Sequence, residues 1–397
     1  MKRVLLIAPV PTHPSGTGAS ARVRHMAESL VSLGHEVHFL HVRQKLGTPR
    51  AEMEQFWGDR LHEFRGLSPV SWVRRGRRKA LRVVAKTFHL NLPVDSYFDP
   101  GLTRYVRELL EQHRFDVVIV SYVFYSKVLE AVPRSVLKVI DTHDVFTDRY
   151  RLYRENGQPG EFFSTGREGE RLALDRADVV LAIQELDGSH FRSLSRTPVA
   201  VVGHLAPAPE PSGVDAPAGD TASPASAMLF VGSEMGINVL GARWFIEHVL
   251  PVVRDRVPAA ELWLVGSVSR KIRGPAPGVR RFGFVESVAD LYGRAAVVVN
   301  PQRFGTGLSI KSIDALRHGR PLVTTPSGGR GLDDGAGTVF LQAQSAEAFA
   351  DHVVGLLQSP DRRAELARRA ADFARRHRER SIHALAEVLD GAAELQR

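Results

Sequence analysis

The sequence predicts two α/β domains, each built around a doubly wound parallel sheet. In both halves of the chain, short apolar runs alternate with helical patterns, as expected when parallel strands are joined by helices. Between the halves, residues 206–226 are rich in Pro, Ala, Gly and Ser and show no hydrophobic period. A chain of 397 residues has room for two or three cores at ~150 residues per domain.

The first predicted domain, residues 1–205, opens with the apolar run Val4–Val10, typical of a strand covered on both faces. A Gly/Ser/Thr-rich loop, Pro14–Gly18, leads into a helical pattern from Ala19 to Leu33 that Gly34 ends. Further Val/Ile-rich strands are predicted at Glu36–Val42, Asp116–Ser121, Val136–Asp141 and Asp178–Ile183.

The second predicted domain, residues 227–378, repeats the pattern after the linker 206–226. Ser359 and Pro360 begin a last helix, as cap and first helical residue, and we expect its final part, 379–397, to pack back on the first domain. Ligands of such sheets bind beyond the carboxyl ends of the strands, so two facing domains would share an interdomain cleft. The predicted elements are strands at Met228–Gly232, Glu261–Val265, Ala296–Asn300 and Pro321–Thr325, and a helix at Leu240–Arg256.

Composition narrows the functional classes. With 43% hydrophobic and 24% charged residues the chain is an ordinary globular protein, and its net charge of +9 suits an anionic ligand or surface. The absence of cysteine excludes disulfides, thiolate catalysis and Cys-ligated metal sites. The first apolar run ends at Pro11 without a cleavage site, and no segment approaches ~20 apolar residues, so we expect a cytoplasmic protein.

One basic segment stands out, because no acidic residue occurs between Ser71 and Pro93. It is either a solvated surface helix or a basic amphipathic helix on the anionic inner face of the membrane. No nucleic-acid-binding motif accompanies it, and we expect no nucleic-acid partner. Its cations are Arg74, Arg75, Arg77, Arg78, Lys79, Arg82 and Lys86, interleaved with Trp72, Val73, Leu81, Val84 and Phe88.

Two segments of the first domain are candidate sites. Gly16-Thr17-Gly18 precedes a helix, where glycine allows backbone to approach an anion, although the same string also suits a plain tight turn. Asp141-Thr142-His143-Asp144 ends a predicted strand, where His143 is placed to bind a hydroxyl or to share a proton with Asp144, or to form a structural turn. No His/Asp/Glu spacing indicates a metal site.

The most informative segment is Pro301–Leu316, which follows the predicted strand Ala296–Asn300. Gly305 and Gly307 make a flexible turn into a helix whose first turn carries Lys311. A cation is unfavourable at that end of a helix dipole, so a bound anion would explain it. Asp314 follows three residues later on the same face; the pair suits a nucleotide, or is an ordinary Lys–Asp surface pair.

Taken in order, these segments resemble the retaining glycosyltransferases of family 4, which have the GT-B fold. The likeness runs through nearly the whole chain and is closest to a subgroup of bacterial sugar transferases. The motifs that carry it are Gly16-x-Gly18 with Arg22, Gly34-His35-Glu36-Val37, Asp141-Thr142-His143-Asp144, Phe230-Val231-Gly232-Ser233, Asn238, Trp244-Phe245, Leu250-Pro251, Leu264-Val265-Gly266, Phe282-Gly283-Phe284-Val285, Gly305 through Leu316, and Gly319-x-Pro321-Leu322-Val323.

The resemblance implies metal-independent transfer, with retention of configuration, from a nucleotide-diphosphate sugar to an acceptor hydroxyl. It implies no cofactor beyond that co-substrate. His143 and Lys311 would be catalytic, and Gly16, Gly18 and Arg22 would form the acceptor and donor loop. The acceptor would be a glycan, a lipid-linked molecule or a small molecule. The donor nucleotide and diphosphate would be bound by Gly232, Gly283, Val285, Gly305, Thr306, Gly307, Leu308, Lys311 and Asp314.

Two departures keep other functions open. The paired glutamates usual in the family, eight positions apart, fall here on Thr306 and Asp314, so only the ribose-side carboxylate is retained. The Arg and Lys that often follow the first strand of the second domain are replaced by 233–238, Ser-Glu-Met-Gly-Ile-Asn. A nucleotide-sugar epimerase of the same fold and a non-catalytic sugar-nucleotide-binding or partner protein are the alternatives.

Overall fold

The computed structural model describes residues 1–14, 16–43, 51–66, 69–209, 226–285 and 287–395, of which 69–75, 77–78 and 392–395 are described by their backbone only. The chain forms two compact units. One comprises Met1–Ala206 together with Glu379–Arg397, and the other comprises Pro207–Arg378. Most of the predicted linker, 210–225, lies outside the described residues.

The N-terminal unit contains a seven-stranded parallel sheet, in the order β3-β2-β1-β4-β5-β6-β7. Its register aligns Val4 of the first strand with Val37 and Val117 of the two neighbouring strands. The strands are β1 Arg3–Ala8, β2 Glu36–Val42, β3 Leu61–Phe64, β4 Val117–Ser121, β5 Leu137–Asp141, β6 Val179–Ala182 and β7 Val199–Val201.

Helices cover both faces of this sheet, because successive side chains of a strand point to opposite sides. Leu5 and Ile7 enter one hydrophobic core, and Val4 and Leu6 enter another. The helices are α1 Gly18–Ser32, α2 Ala51–Trp57, α3 Pro69–Phe88, α4 Pro100–Gln112, α5 Arg149–Glu155, α6 Arg167–Leu174 and α7 Glu185–Leu194, with 3-10 segments at Gly58–Arg60, Val94–Tyr97 and Val123–Ala131.

The C-terminal unit contains a six-stranded parallel sheet, in the order β10-β9-β8-β11-β12-β13. The strands are β8 Ala227–Val231, β9 Glu261–Val265, β10 Val279–Gly283, β11 Val297–Asn300, β12 Leu322–Thr324 and β13 Leu341–Gln342. The helices are α8 Gly236–Trp244, α9 Leu250–Arg256, α10 Ala289–Arg294, α11 Ile310–Arg317, α12 Ala346–Gln358 and α13 Pro360–Leu395, with 3-10 segments at Ser267–Arg270 and Asp333–Gly335.

The predicted helix Leu240–Arg256 is wrong in detail. It begins earlier, at Gly236, and a π turn at Phe245–Val249 divides it into α8 and α9. Pro251 stands at the start of α9. Proline has no N–H to continue the i→i−4 ladder, so the hydrogen-bonding pattern must change at this point.

The last helix, α13, begins as predicted, with the Ser359 hydroxyl accepting a hydrogen bond from the Arg362 N–H. Its C-terminal part belongs to the N-terminal unit, where Leu385 and Leu389 enter the same core as Val4. The Ser381 hydroxyl accepts a hydrogen bond from the Gly203 N–H at 3.1 Å. Among the described helices, none is long and apolar enough to cross a membrane.

Three histidines of the N-terminal unit lie in contact. His38 Nδ1 is 3.0 Å from His62 Nε2, and the rings of both lie within about 5.5 Å of the His113 ring. Burial, together with the neighbouring His38 and His113, lowers the pKa of His62 from 6.5 to about 4. The folded protein therefore binds fewer protons than the unfolded chain between these two pH values.

We expect the free energy of unfolding to fall as the pH is lowered from about 6.5 to about 4, with His62 contributing up to ~1.4 kcal/mol per pH unit. His62→Gln should flatten this dependence, because glutamine takes up no proton. Urea midpoints measured across this range test the expectation. His383→Gln, at an exposed position of α13, is the matched control and should leave the dependence unchanged.

Candidate functional site

The predicted site residues of the N-terminal unit lie at the carboxyl edge of its sheet. Gly16 and Gly18 follow β1, and His143 follows β5. Thr17 caps α1, since its hydroxyl accepts a hydrogen bond from the Ser20 N–H at 3.2 Å. A Cβ added at Gly16 would meet no atom within 4 Å, so packing does not require glycine there.

His143 is held in a tight aromatic and acidic environment. Its ring stacks on Tyr122 with centroids 4.2 Å apart, and its Nε2 lies 2.9 Å from Asp141 Oδ2. Both His143 and Tyr122 have left-handed backbone, with φ of 63° and 74°. Such conformations cost about 1–3 kcal/mol each and are frequent at ligand sites. The two strained residues follow neighbouring strands, β5 and β4.

One predicted role of this segment is a proton shared between His143 and Asp144, but the structure places a different carboxylate beside the His143 ring. Asp144 instead forms an ion pair with Arg149 at 3.0 Å, while Asp141 is the carboxylate beside His143. Burial alone would raise the pKa of Asp141, but the charges and hydrogen bonds of Arg22 and His143 hold it well below its ordinary value. Asp141 is therefore a fixed negative charge that orients His143.

Arg22, predicted to belong to the acceptor and donor loop, is buried and bonded to partners within the protein. Its guanidinium is 2% exposed and donates to both carboxylate oxygens of Asp141, with Nε at 3.0 Å from each. It also donates to the carbonyls of Val202 and Gly203 at 3.0 and 2.9 Å. These bonds occupy most of its five donors. Arg22 thus ties α1 to β5 and to the segment after β7.

In the C-terminal unit, a buried polar network fixes the glycine-rich loop 301–309. Asn300, at the end of β11, lies with its Nδ2 2.8 Å from the hydroxyls of Ser309 and Ser312 and 3.2 Å from the Gly328 carbonyl. The Ser312 hydroxyl donates to the same carbonyl at 2.7 Å. The network joins the start of α11 to the loop after β12, which sets the position of the helix N-terminus.

The two loop glycines are required by conformation. Gly305 and Gly307 have φ of 152° and 73°. A Cβ at Gly305 would lie 2.8 Å from Ile237 Cδ1, so the segment after β8 packs directly against this loop. Leu308 is buried and Thr306 half-buried. The loop therefore has one defined shape at the N-terminus of α11, where backbone N–H groups favour an anion.

Lys311 is the second residue of α11 and is half-buried. Its Nζ donates to Gln302 Oε1 at 3.2 Å and lies 6.0 Å from the centre of the Phe230 ring. Within the part of the chain that the structure describes, no carboxylate pairs with it. Burial lowers the pKa of Lys311 from 10.5 to about 8. The Lys311 ammonium is thus partly desolvated at the positive end of a helix. Among the described residues, its partners are the neutral amide of Gln302 and the ring of Phe230.

Asp314 does not pair with Lys311, so the alternative of a Lys–Asp surface pair is wrong. Its Oδ1 accepts a hydrogen bond from Arg317 Nε at 2.6 Å on the same helix. Beside it, Tyr292 and His318 stack with ring centroids 4.5 Å apart. Burial raises the pKa of Tyr292 well above 10, and the Asp314 charge adds to this effect. Asp314 is half-buried and keeps its carboxylate close to the helix surface.

The other predicted donor-site residues lie at the same carboxyl edge. Gly232 follows β8, Gly283 ends β10, and Val285 lies in the loop that follows. The Gly266 N–H donates to the Gly283 carbonyl at 2.6 Å, and a Cβ at Gly266 would clash with the Gly232 carbonyl. Gly266 has φ of 92°. Close backbone packing joins these three turns.

Two further residues near this loop, Arg330 and Gln302, were not predicted from the sequence as site residues. Arg330 Nη1 donates to the Gly305 carbonyl at 2.9 Å, while Gln302 holds Lys311. Two cations are therefore anchored on the segment 302–305. The sequence feature that could have indicated Arg330 is its position in the glycine-rich segment Ser327–Gly331, just after the predicted strand Pro321–Thr325. In the described residues, no group of three or more His, Asp and Glu side chains is placed to hold a metal.

Comparison with known protein families gives two matches. Residues 17–204 match the "Glycosyl transferase 4-like domain", and residues 225–359 match "Glycosyl transferases group 1". The two matches correspond to the two sheets described above. Fold and domain content together make this chain a glycosyltransferase of the GT-B fold.

Solved structures confirm the fold over nearly the whole chain. Sucrose-phosphate synthase from Thermosynechococcus elongatus is similar with a TM-score of 0.67 and 16% identity, covering 99% of this chain and 100% of that one. The pneumococcal O-GlcNAc transferase GtfA, in complex with UDP and GlcNAc, gives 0.66 and 10%, covering 99% of each chain. Anabaena HepE, in complex with UDP and glucose, gives 0.64 and 14%, covering 98% of this chain and 100% of that one.

One curated protein also matches. It is an "Uncharacterized 44.6 kDa protein in cps region" of Klebsiella pneumoniae, 25% identical over 158 residues. The aligned part is 37% of this chain and 41% of the Klebsiella protein, so less than half of either chain is compared.

Removing one partner of the buried Arg22–Asp141 pair is expected to destabilise the N-terminal unit strongly. Arg22→Met should destabilise the protein by about 3–5 kcal/mol, because it leaves a buried carboxylate without its charge partner. Chemical denaturation measures the change. Arg24 on the same helix pairs with Glu28 at 2.7 Å but is 38% exposed. Arg24→Met should cost less than about 1 kcal/mol, and equal losses in the two variants would contradict the assignment.

Proposed function

We propose that this protein transfers a sugar, with retention of anomeric configuration, from a nucleotide-diphosphate sugar to an acceptor hydroxyl, in the manner of family 4. The observation that carries the proposal is the environment of Lys311. A partly desolvated cation, paired with no carboxylate among the described residues, lies at the N-terminus of α11 beside a glycine loop of fixed shape. That arrangement is suited to an anion.

The anion is proposed to be the donor diphosphate. The helix N-terminus supplies backbone N–H donors, and Lys311 and Arg330 supply two charges anchored on the segment 302–305. Arg330 would thus stand in for the basic pair that the segment 233–238 lacks. Asp314, on the outer turn of the same helix, is proposed to bind the ribose hydroxyls, with Gly232, Gly283 and Val285 bordering the nucleoside.

Catalysis would come from stabilising charge as it develops. When the glycosidic bond to the donor breaks, negative charge grows on the departing diphosphate, and preorganised donors then bind more strongly than in the ground state. Lys311, Arg330 and the N–H groups at Thr306–Ser309 would supply this stabilisation. No metal ion is required in this scheme.

His143 is proposed to contact the donor sugar. It lies at the carboxyl edge of the first sheet, oriented by Asp141 on one side and by the Tyr122 ring on the other. Gly16 and Gly18 follow the first strand of the same edge and would border the acceptor. UDP is the nucleotide named with HepE and GtfA, so UDP-sugars are the first donors to test here.

Lys311→Ala is expected to lower kcat as well as nucleotide affinity, since its contact strengthens in the transition state. Arg330→Gln should weaken nucleotide binding in the same direction. Activity should persist in EDTA. Donor turnover and UDP calorimetry give the readouts, and Lys127→Ala, at a half-exposed lysine of the other unit, is the control.

The lowered pKa of Lys311 predicts that UDP affinity depends on pH. Below about pH 8 the free ammonium is charged, and above it the side chain loses its proton. UDP affinity of the wild type should therefore decrease as the pH rises through about 8, and Lys311→Ala should lose that decrease. If Lys311→Ala keeps wild-type rate and affinity, the diphosphate site lies elsewhere.

Asp314→Asn is expected mainly to raise KM, by about tenfold for ~1.4 kcal/mol of lost binding, because the ribose does not change during the reaction. Since Asp314 also pairs with Arg317, Arg317→Met is the matched control. If Arg317→Met raises KM as much, Asp314 acts through the ion pair and does not bind the ribose.

His143→Ala is expected to lower turnover with little change in UDP affinity, because the nucleotide is proposed to bind to the other unit. Steady-state kinetics and UDP calorimetry on one preparation separate the two effects. Unchanged turnover would remove His143 from the mechanism. UDP-sugar binding by the wild type without transfer to any acceptor would favour the non-catalytic alternative raised by Thr306.

A further inference from the structure

The C-terminal half of α3 presents apolar side chains that are exposed among the described residues. Leu81, Val84 and Phe88 are 47%, 45% and 67% exposed. Their i, i+3, i+7 spacing places them on one side of the helix. Val83, on another side of the helix, and Leu90, after its last residue, are also exposed. Large apolar side chains clustered in this way mark an interaction surface, whereas single exposed ones need no explanation.

The adjoining side of the same helix segment packs against the rest of the N-terminal unit. Ala85 is buried, and the Arg82 guanidinium lies 3.4 Å above the Tyr97 ring. The Lys86 carbonyl accepts a hydrogen bond from the Gly160 N–H at 3.1 Å. The contacts of Ala85, Arg82 and Lys86 hold α3 against the N-terminal unit, and its apolar side chains remain exposed.

Charge indicates what covers this face. Seven basic residues and no acidic residue occur between Ser71 and Pro93. Arg74, Arg75, Arg77 and Arg78 lie in α3, but their side chains fall outside the described part of the structure, whereas that of Lys79 is exposed. A surface that combines exposed apolar side chains with a basic segment free of acidic residues matches an anionic bilayer, in which acyl chains contact the apolar side chains and headgroups the cations.

We propose that α3 docks this protein onto the surface of an anionic lipid bilayer. Leu81, Val84 and Phe88 would enter the boundary between headgroups and acyl chains, and the positively charged segment 74–79 would lie against anionic headgroups. Nucleic acid fits less well, because it offers no partner for the aliphatic side chains. The proposal does not depend on the enzymatic activity.

Co-sedimentation of the full chain with lipid vesicles tests this surface. The protein should bind phosphatidylcholine vesicles containing roughly 30% phosphatidylglycerol at about 0.1 M salt, and bind far less at about 0.5 M salt or to phosphatidylcholine alone. The combined variant Leu81→Ser, Val84→Ser and Phe88→Ser should reduce binding by about tenfold or more. Replacing Arg74, Arg75, Arg77 and Arg78 with Gln should do the same.

The matched control is the pair Leu172→Ser and Leu186→Ser, on α6 and α7 of the same unit. These leucines are exposed to similar degrees, 47% and 50%, without a basic surrounding segment. The control should bind vesicles like the wild type, and circular dichroism should show all variants folded. Absence of wild-type binding to anionic vesicles would overturn the proposal. So would equal loss in the control, or self-association in lipid-free buffer that the α3 variant abolishes.

Discussion

Both units depend on one constraint, namely that a parallel sheet must be covered on both faces. The interior strands, such as Val117–Ser121 and Val297–Asn300, are buried throughout, and helices must return over the sheet to begin each next strand. The same connections bring every strand end to one edge of its sheet. Chemistry-bearing residues that are far apart in sequence, among them Gly232, Gly283 and Lys311, therefore meet at one edge without any direct pairing between them.

The buried charges at these two sheet edges have contrasting partners. Arg22 and Asp141 satisfy each other almost completely, which makes them part of the scaffold that orients His143. Lys311 is left with a neutral amide and an aromatic ring, and its lowered pKa records the resulting desolvation. A partly desolvated ammonium with neutral partners is suited to bind an anion from solution. The partners of Arg22 therefore indicate a structural role, whereas those of Lys311 are consistent with the anion-binding role that we propose for it.

The loop at 301–309 shows how the scaffold prepares such a site. Asn300 is fully buried and joins Ser309 and Ser312 to the loop after β12, so the start of α11 is fixed before any ligand binds. Gly305 and Gly307 adopt backbone conformations that other residues disfavour. Because the backbone N–H groups at the start of α11 are already oriented, little reorganisation would be needed when negative charge develops on the diphosphate that we propose to bind there. The exposed face of α3 lies in the other unit and rests on separate contacts, those of Ala85 and Arg82.

The sequence by itself determined the interior strands, the two α/β halves and the loop that carries Lys311, because a strand covered on both faces must be a continuous apolar run. Four strands, β3, β7, β10 and β13, went unrecognised, and all four are edge strands. Val279–Gly283 carries two arginines, so no apolar run marks it. Val199–Val201 is apolar but has only three residues, too few to be recognised as a strand. Tertiary structure alone decided that Arg22 is buried against Asp141, that Asp144 pairs with Arg149, and that Arg330 reaches Gly305. Those partners are separated by up to 119 positions, and only the packed sheet determines which charge meets which.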